Sequence, residues 1–383
     1  MLDYIENENR MITASMFSMQ GFLLDLRWKI LFMVGFIVSL SVCFIYPLHF
    51  FNSTDPVPEF IIIDAAKQKE FGEFTVKVTT GMFIKNFSTF DVTNNRFVMD
   101  ALVWFEFNSD EIMLETIGKF SFDKGRFLIK SNPDIKIVGD KTIAIYDVRV
   151  EFKADLEYKK FPLEDHKVSL VLSNNFVTPY EMFFLVDNTL FNVKQDMFIA
   201  NWKLRDLNTD SGYDEPKLDT RKNDKQTSFP KAVFTMNFEK SGTRQISIIF
   251  LPLLFATILA LLSFFFAILN TIGRIALATA SLSAMIGYRF VIEKMLPDVG
   301  YFTLADSMYL LLLSVTFVTF ILQIFLARIC NTEVTALAEG VKDEVLSGKP
   351  LQNLIFMLEA SNTVLYYLLI IITAAITGYL TLL

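Results

Sequence analysis

The chain has 383 residues, of which 52% are apolar and only 20% are charged, and this composition is too apolar for an ordinary soluble protein. Its net charge of −7 argues against nucleic acid as a partner, because nucleic-acid binding relies on positive charge that neutralises phosphates. Both cysteines, Cys43 and Cys330, fall in apolar stretches, so we expect the polar part of the chain to fold without a disulfide.

Five stretches are long and apolar enough to cross a lipid bilayer, near residues 30–50, 246–269, 272–295, 304–327 and 363–383. Arg27 and Lys29 stand directly before the first stretch, and positive charge at a span boundary marks the cytoplasmic side. We therefore expect a multi-pass protein of the plasma or inner membrane, in contact with lipid, with a cytoplasmic segment at 1–29 and residues 51–243 outside. A cleaved signal peptide over residues 1–50 is the alternative to a retained first span.

Residues 51–243 are predicted to form one β-rich domain. Apolar and polar residues alternate over 74–84, 97–107, 142–153, 166–172 and 232–239. Turn-forming residues stand at Asn94-Asn95, Asp123-Lys124-Gly125, Val138-Gly139-Asp140 and Asp210-Ser211-Gly212. Short strands at this spacing are typical of a β-sandwich, which is the fold we expect.

The same domain has none of the sequence patterns that catalysis or metal binding would need. We find no Gly-rich phosphate loop, no Cys/His metal spacing and no Ser-His-Asp order. His49 and His166 are the two histidines, so acid–base chemistry would have to rest on carboxylates that look like ordinary surface charge. The sequence therefore predicts no enzyme, no metal site and no cofactor.

The segment from Arg274 to Pro297 is an apolar stretch sorted by side-chain size around its circumference. Steps of about 100° per residue place small residues on one stripe and large apolar residues opposite. The stripe carries Ala276, Ala280, Ser283 and Gly287, flanked by Thr279, Phe290 and Lys294. The opposite side carries Ile275, Leu282, Met285, Ile286 and Ile292. Such a stripe either packs closely on a neighbouring helix or faces water in a pore.

The motif Phe161-Pro162-Leu163-Glu164-Asp165-His166 resembles the signature loop of the pentameric ligand-gated ion channel (Cys-loop receptor-like) superfamily. The loop-closing cysteines of that family would fall at Ala154 and Val168, and their replacement is similar to the prokaryotic branch. Other resembling segments follow in the family's order: Val103-Trp104-Phe105-Glu106, Asn201-Trp202-Lys203-Leu204, Thr243-Arg244-Gln245 with Pro252, and Leu296-Pro297 with Tyr301-Phe302-Thr303. The resemblance covers about residues 74–383.

The resemblance implies roles for individual residues. The pore would be lined by Ala276, Thr279, Ala280, Ser283, Gly287, Phe290 and Lys294. Ligand binding would be coupled to the pore through Phe161, Pro162, Glu164, Asp165, Arg244 and Pro297. Arg244 would pair with Glu164 or Asp165, or else only anchor its helix at the membrane interface. Trp104 and Phe176 match positions of the family's aromatic ligand pocket and Tyr213 falls in the capping-loop region at 208–228, with ordinary strand packing as the alternative for each.

The expected architecture is a membrane protein of the α+β class. A β-sandwich over 51–243, extracellular or periplasmic, precedes three channel helices over 244–327, a cytoplasmic linker over 328–362 and a fourth helix over 363–383. The span at 30–50 is additional to the family's architecture. The expected function is a homopentamer that passes small ions when a small-molecule or ion ligand binds, and a non-conducting receptor or adaptor is the alternative. Ile272 and Gly273 precede Arg274 where cation-selective members commonly carry an acid, so the choice of ion stays open.

Overall fold

The computed structural model describes residues 26–72, 75–215, 228–241, 243–340 and 349–382. They divide into two compact units. The helical unit takes its described residues from Met1–Phe50, Lys159–Leu163 and Thr243–Leu383, and the sheet unit takes its residues from Phe51–Tyr158 and Glu164–Gly242. The motif with Pro162 is therefore shared, because residues 161–163 belong to the helical unit and residues 164–166 to the sheet unit.

The sheet unit contains two β-sheets and two short helices. Its strands are β1 (Ile61–Ile62), β2 (Val76–Asp91), β3 (Arg96–Phe107), β4 (Ser121–Phe122), β5 (Gly125–Lys130), β6 (Asp134–Val138), β7 (Lys141–Phe152), β8 (His166–Ser173), β9 (Met182–Leu185), β10 (Phe191–Val193), β11 (Trp202–Asp214) and β12 (Phe229–Lys240). Its short α-helices, α2 (Ala65–Phe71) and α3 (Leu114–Ile117), follow the N-terminal helix α1 (Leu26–Ile45) along the chain. One sheet has the order β1-β11-β12-β8-β4. The other has the order β10-β2-β3-β7-β5, with β6 paired to β7 and β9 paired to β2.

The core of this unit lies between the two sheets and is rich in aromatic rings. Phe238 of β12 packs edge-on against Phe90 and Phe87 of β2, with ring centroids 4.8 Å and 6.1 Å apart. Phe191 of β10 meets Phe234 of β12 at 5.2 Å. Alternation along each strand sends every second side chain into this core, so the apolar residues of the alternating stretches are buried together.

The five alternating stretches of the sequence all form strands, namely β2, β3, β7, β8 and β12, and this prediction is confirmed. Phe74, at the start of the first stretch, lies outside the described residues. Three predicted turns are also confirmed, with a positive φ at Asn95 (49°), Lys124 (54°) and Gly139 (69°). Asparagine and glycine tolerate this left-handed backbone region, which explains their place at two of these three turns.

The turn predicted at Asp210-Ser211-Gly212 is wrong, because these residues lie inside β11 and pair with β12 throughout. Gly212 instead allows Phe60 to approach the backbone of β11 closely. A Cβ at Gly212 would stand 2.3 Å from the ring of Phe60, which lies against the strand just before β1. Of the predicted capping-loop region 208–228, residues 208–214 are strand and residues 216–227 lie outside the described part of the chain.

The helical unit contains α1 (Leu26–Ile45), α4 (Arg244–Leu262), α5 (Thr271–Glu293), α6 (Leu304–Gly340) and α7 (Lys349–Leu382). In the described residues these five helices are long and apolar enough to cross a membrane, which indicates a membrane protein of mixed α and β structure. Helix α6 continues to Gly340 and α7 begins at Lys349, so helix occupies much of the predicted linker 328–362. Residues 341–348 of that linker lie outside the described residues.

The additional first helix, α1, packs against the other helices of its unit. The hydroxyl of Tyr366 in α7 donates to the carbonyl of Lys29 at 2.8 Å. Phe32 lies 4.5 Å from Tyr367 of α7, measured between ring centroids. Phe44 stacks on Phe250 of α4 at 4.3 Å. Helix α1 is therefore packed along its length on α7 and α4.

Candidate functional site

Helix α5 presents the predicted stripe outward. It begins at the N-cap Asn270, whose side-chain oxygen accepts from the amide of Gly273 at 3.1 Å. All seven stripe residues are exposed on the chain, namely Ala276, Thr279, Ala280, Ser283, Gly287, Phe290 and Lys294. Phe290 is the largest exposed apolar side chain among them, at 69%. A Cβ added at Gly287 would meet nothing within 4 Å, so the stripe is not in close contact with the described part of this chain.

The opposite face of α5 carries the packing within the chain. Its buried residues are Arg274, Ala278, Ser281, Met285 and Ile292. The hydroxyl of Ser281 donates to the carbonyl of Ala256 in α4 at 2.5 Å, so small residues do bring two helices together here, but on this face. Ile286 is 52% exposed, so its placement on the side opposite the stripe is wrong. The reason is geometric, because at about 100° per residue it lies only about 60° from Ser283.

Arg274 is buried and points away from the stripe. Its guanidinium donates to the side-chain oxygen of Asn362 in α7, and the amide nitrogen of Asn362 donates to the carbonyl of Phe264 at 3.1 Å. A charge inside a helical bundle needs such partners, because desolvation is costly there. Arg274 therefore links α5 to α7 through Asn362.

Phe161 and Pro162 are buried in the helical unit, at the N-terminus of α6. The carbonyl of Lys159 accepts from the amide of Leu304 at 2.8 Å, and the carbonyl of Phe161 accepts from the amide of Ala305 at 3.0 Å. The first amides of a helix have no partner inside the helix, so a loop that supplies carbonyls satisfies them. The loop 153–165 between β7 and β8, which we call the proline loop, thus contacts α6 through its tip. The Phe161–Pro162 peptide bond is cis.

The start of α6 is also joined to α5. Thr303 and Asp306 cap the helix reciprocally, with the Thr303 amide 3.1 Å from Oδ2 of Asp306 and the Asp306 amide 3.2 Å from the Thr303 hydroxyl. Oδ1 of Asp306 accepts from Arg289 of α5 at 3.0 Å. Pro297, in the connection between α5 and α6, is buried, and its carbonyl accepts from the amide of Val299 at 3.0 Å. Arg289 was not singled out by the sequence, where it is only one charge near the end of an apolar stretch.

The acids of the motif lie in the sheet unit. Glu164 is 1% exposed, and in the described residues its Oε2 has no hydrogen-bond partner. Burial raises the pKa of this carboxyl well above its usual range. Asp165 accepts from the amides of Lys240 and Asn52, each at 2.8 Å, and burial raises its pKa as well.

Lys240, at the end of β12, is a basic residue that interacts electrostatically with both acids within the sheet unit. Burial lowers the pKa of its ammonium to about 8, while Glu164 and Asp165 act in the opposite direction. Arg244, the basic residue that the resemblance singles out, is the first residue of α4 and is exposed. The pairing of Arg244 with Glu164 or Asp165 stays a prediction. The sequence signal for Lys240 is its place at the end of the last strand, shortly before Arg244.

Two of the three ligand candidates are packed. Trp104 of β3 lies over Gly81 of β2, where a Cβ would stand 2.1 Å from the indole ring, so glycine makes room for the tryptophan. Tyr213 is 5% exposed and packs edge-on against Phe71 of α2 at 5.5 Å between ring centroids. These positions show the strand packing that was the alternative for Trp104 and Tyr213.

Phe176, the third candidate, is different because 67% of it is exposed. Its ring has the ammonium of Lys119 5.0 Å from the centroid, a cation–π contact. Whether any of the three residues binds a ligand stays a prediction. Among the described residues, no group of three or more His, Cys, Asp or Glu side chains is arranged to hold a metal ion.

A scan against models of protein families gives no match to this chain. A search of curated proteins gives no match either.

Proposed function

We propose that the chain is one subunit of a homopentameric ligand-gated ion channel, in which α5 lines the pore and the two sheets form a β-sandwich that binds the ligand. The single observation that carries this proposal is the exposure of all seven stripe residues of α5, while the opposite face of the same helix is buried. Helices α4, α6 and α7 would surround α5, and α1 would be an addition to this bundle.

The chemistry of the stripe favours water over lipid as its surroundings. A lipid-facing surface is uniformly apolar, whereas this stripe includes Thr279, Ser283 and Lys294. A single helix cannot enclose a pore, but a closed ring of identical subunits can, and it leaves no interface unsatisfied. Five copies of the stripe would line the pore with small and hydroxyl-bearing side chains, which keep it wettable.

The contacts around α6 support the coupling part of the proposal. A chain of hydrogen bonds runs from Arg289 of α5 through Asp306 to the start of α6, whose Leu304 and Ala305 amides bind the carbonyls of the proline loop. This loop continues directly into Glu164 and the sheet unit. A displacement of the residues where the loop continues into the sheet unit would therefore act on the C-terminal part of α5. It would do so through the hydrogen bonds between the loop and α6 and through the contact of Asp306 with Arg289.

The β5–β6 edge of the sheet unit supports association between copies. Large apolar side chains are exposed there, with Ile137 at 75%, and β6 pairs with a strand on one side only. The exposed residues are Leu128, Ile129, Ile135, Ile137 and Val138. An exposed apolar edge of this kind promotes aggregation of a monomer, whereas in an oligomer a neighbouring subunit can cover it.

Recording from the purified chain in planar bilayers tests the function, with the oligomer mass measured on the same sample. We expect a pentamer and discrete ionic current steps in the wild type or in a Phe290→Ala variant designed to open at rest. A stable oligomer that shows no current in either form would contradict the proposal and favour a non-conducting receptor.

A further inference from the structure

The N-terminal segment, residues 51–63 between α1 and α2, is bound to the sheet unit at both of its ends. At the start, the amide of Asn52 donates to Oδ2 of Asp165 at 2.8 Å, and the carbonyl of Asn52 accepts from the amide of Asp165 at 3.0 Å. At the end, Ile61 and Ile62 pair with β11. The amide of Ile63 donates to the carbonyl of Ser211 at 2.9 Å. The segment therefore follows the sheet from the proline loop to the far part of β11.

Asp55 lies on this segment, and its carboxylate holds both ends of the proline loop. Oδ1 accepts from the amide of Glu157 at 2.7 Å, on the side where the chain leaves β7. Oδ2 accepts from the amide of Lys167 at 2.7 Å, where the chain enters β8, and from Nδ1 of His166 at 3.0 Å. Nδ1 carries the proton in this arrangement because a carboxylate can only accept. The hydroxyl of Ser53 donates to the same Oδ2 at 2.9 Å.

The burial of these groups makes the contact strong. The side chains of Asp55 and His166 are 0% and 1% exposed. Hydrogen bonds to an ionised carboxylate are about twice as strong as neutral ones, and little water is present here to compete. One carboxylate thus joins the backbone amides of Glu157 and Lys167, which lie on the two sides of the proline loop.

We propose that Asp55 closes the proline loop as a positioning residue. A disulfide has this task in the family that the motif resembles, and Ala154 and Val168 occupy its two positions in this chain. Both of these residues are buried. The segment that follows the additional helix α1 therefore supplies a part of the coupling apparatus. The coupling role rests on the proposed channel function, whereas the closure of the loop stands without it.

The Asp55→Asn variant tests the closure with almost no change in side-chain size. An asparagine has only one acceptor oxygen, so its amide group would face the backbone amide of Glu157 or of Lys167, and a donor cannot bind a donor. Glu59→Gln is the matched control, because Glu59 lies on the same segment, is exposed and carries the same charge. Hydrogen–deuterium exchange of the full chain in detergent, read by mass spectrometry of peptides over 154–168, reports the opening of the loop.

We expect about tenfold faster exchange at both ends of the loop in Asp55→Asn, the change that corresponds to the loss of one charge-assisted hydrogen bond. Exchange in β3 and β7 should stay at the wild-type rate, and Glu59→Gln should match the wild type everywhere. Unchanged exchange over 154–168 would overturn the closure. A uniform rise over all strands would overturn it too, because Asp55 would then support the whole unit and not the loop.

Single-channel recording separates this inference from the channel itself. Asp55→Asn and Glu59→Gln are each combined with Phe290→Ala, the variant expected to conduct without ligand, and are compared. Because Asp55 would act as a positioning residue, Asp55→Asn should change the open probability and leave the unitary conductance unchanged. An unchanged open probability with a loosened loop would overturn the coupling role of Asp55. If no variant conducts while the loop is loosened, the channel function fails and the closure of the loop by Asp55 is upheld.

Discussion

Phe290 is the large aromatic side chain on an exposed stripe whose other members are mostly small. It stands near the C-terminal end of α5, shortly before Lys294. Five symmetry-related rings at that level would form an apolar constriction, and such a constriction can close a pore by expelling water without filling it. In such a pore, the alanine, serine and glycine side chains elsewhere on the stripe would leave too wide a lumen for this effect.

The prediction at Phe290 is that truncation opens the resting channel. Phe290→Ala should raise the current in the absence of ligand, and Phe290→Ser should raise it further, because a hydroxyl stabilises water in the constriction. Planar-bilayer recording measures both. If Phe290 instead packs sideways into a neighbouring subunit, truncation would cost about 3–5 kcal/mol of packing and would appear as poor assembly without leak.

Glu164 gives a prediction about pH. Its charged neighbours in the sheet unit are Lys240, Asp55 and Asp165, and His166 lies 3.7 Å away. Burial raises the pKa of the Glu164 carboxyl, so the stability it contributes is complete at low pH and is lost as the pH rises through that raised value. Glu164→Gln is neutral at every pH and should remove this loss.

Thermal unfolding between about pH 5 and pH 8 measures the effect, since these values lie above the usual range of a glutamate. We expect the wild type to lose more stability over this interval than Glu164→Gln. The exposed Glu59→Gln serves as a control and should follow the wild type. Parallel curves for the wild type and Glu164→Gln would contradict the buried neutral carboxyl.

At the level of elements, the connection from α5 to α6 depends on the ion pair of Arg289 with Asp306. The pair is partly exposed, so we expect a modest energy and not that of a buried charge pair. A double-mutant cycle with Arg289→Gln and Asp306→Asn, followed by thermal unfolding, should give a coupling energy of about 0.2–1 kcal/mol. Asparagine keeps the ability to cap α6, which limits the change to the charge. Additive effects would show that the contact does not join the two helices.

The N-terminal segment packs closely on β11 at Gly212, which has no side chain to obstruct it. Gly212→Ala would place a methyl group 2.3 Å from the ring of Phe60 and 2.8 Å from the carbonyl oxygen of Ile61. We expect the segment to shift, at a cost of about 1–3 kcal/mol, which is typical of overpacking. Faster hydrogen exchange over residues 58–64 would detect the shift. Gly139→Ala is the matched comparison: its added Cβ meets nothing within 4 Å, so any effect there comes from its positive φ alone.

Periodicity predicted most of the elements because burial repeats regularly along strands and along α5. It failed where a residue serves a distant part of the chain. Gly212 looks like a turn residue but makes room for Phe60, and Arg274 looks like a charge at the start of an apolar stretch but binds Asn362 of α7. Asp55 has no pattern around it, since the loop that it holds binds it through the backbone amides of Glu157 and Lys167, which leave no trace in a sequence.

At the scale of the whole molecule, the account rests on the surroundings of the α5 stripe. The chain buries one face of α5 against its own helices and leaves the other exposed. The two proposed surroundings of the exposed face are water in a pore and a packed helix of a second copy. These two cases differ in chemistry. A stripe in a pore stays accessible to aqueous reagents, whereas a stripe between packed helices does not.

The most direct measurement is thiol accessibility on α5 during current recording. Cys43 and Cys330 are first replaced by serine and alanine, and single cysteines are then placed at Ser283 and, as the matched control, at Met285, which is fully buried. We predict that a water-soluble thiol reagent changes the current of Ser283→Cys and leaves that of Met285→Cys unchanged. A current that responds only at Met285→Cys, or at neither position, would contradict a pore lined by this stripe.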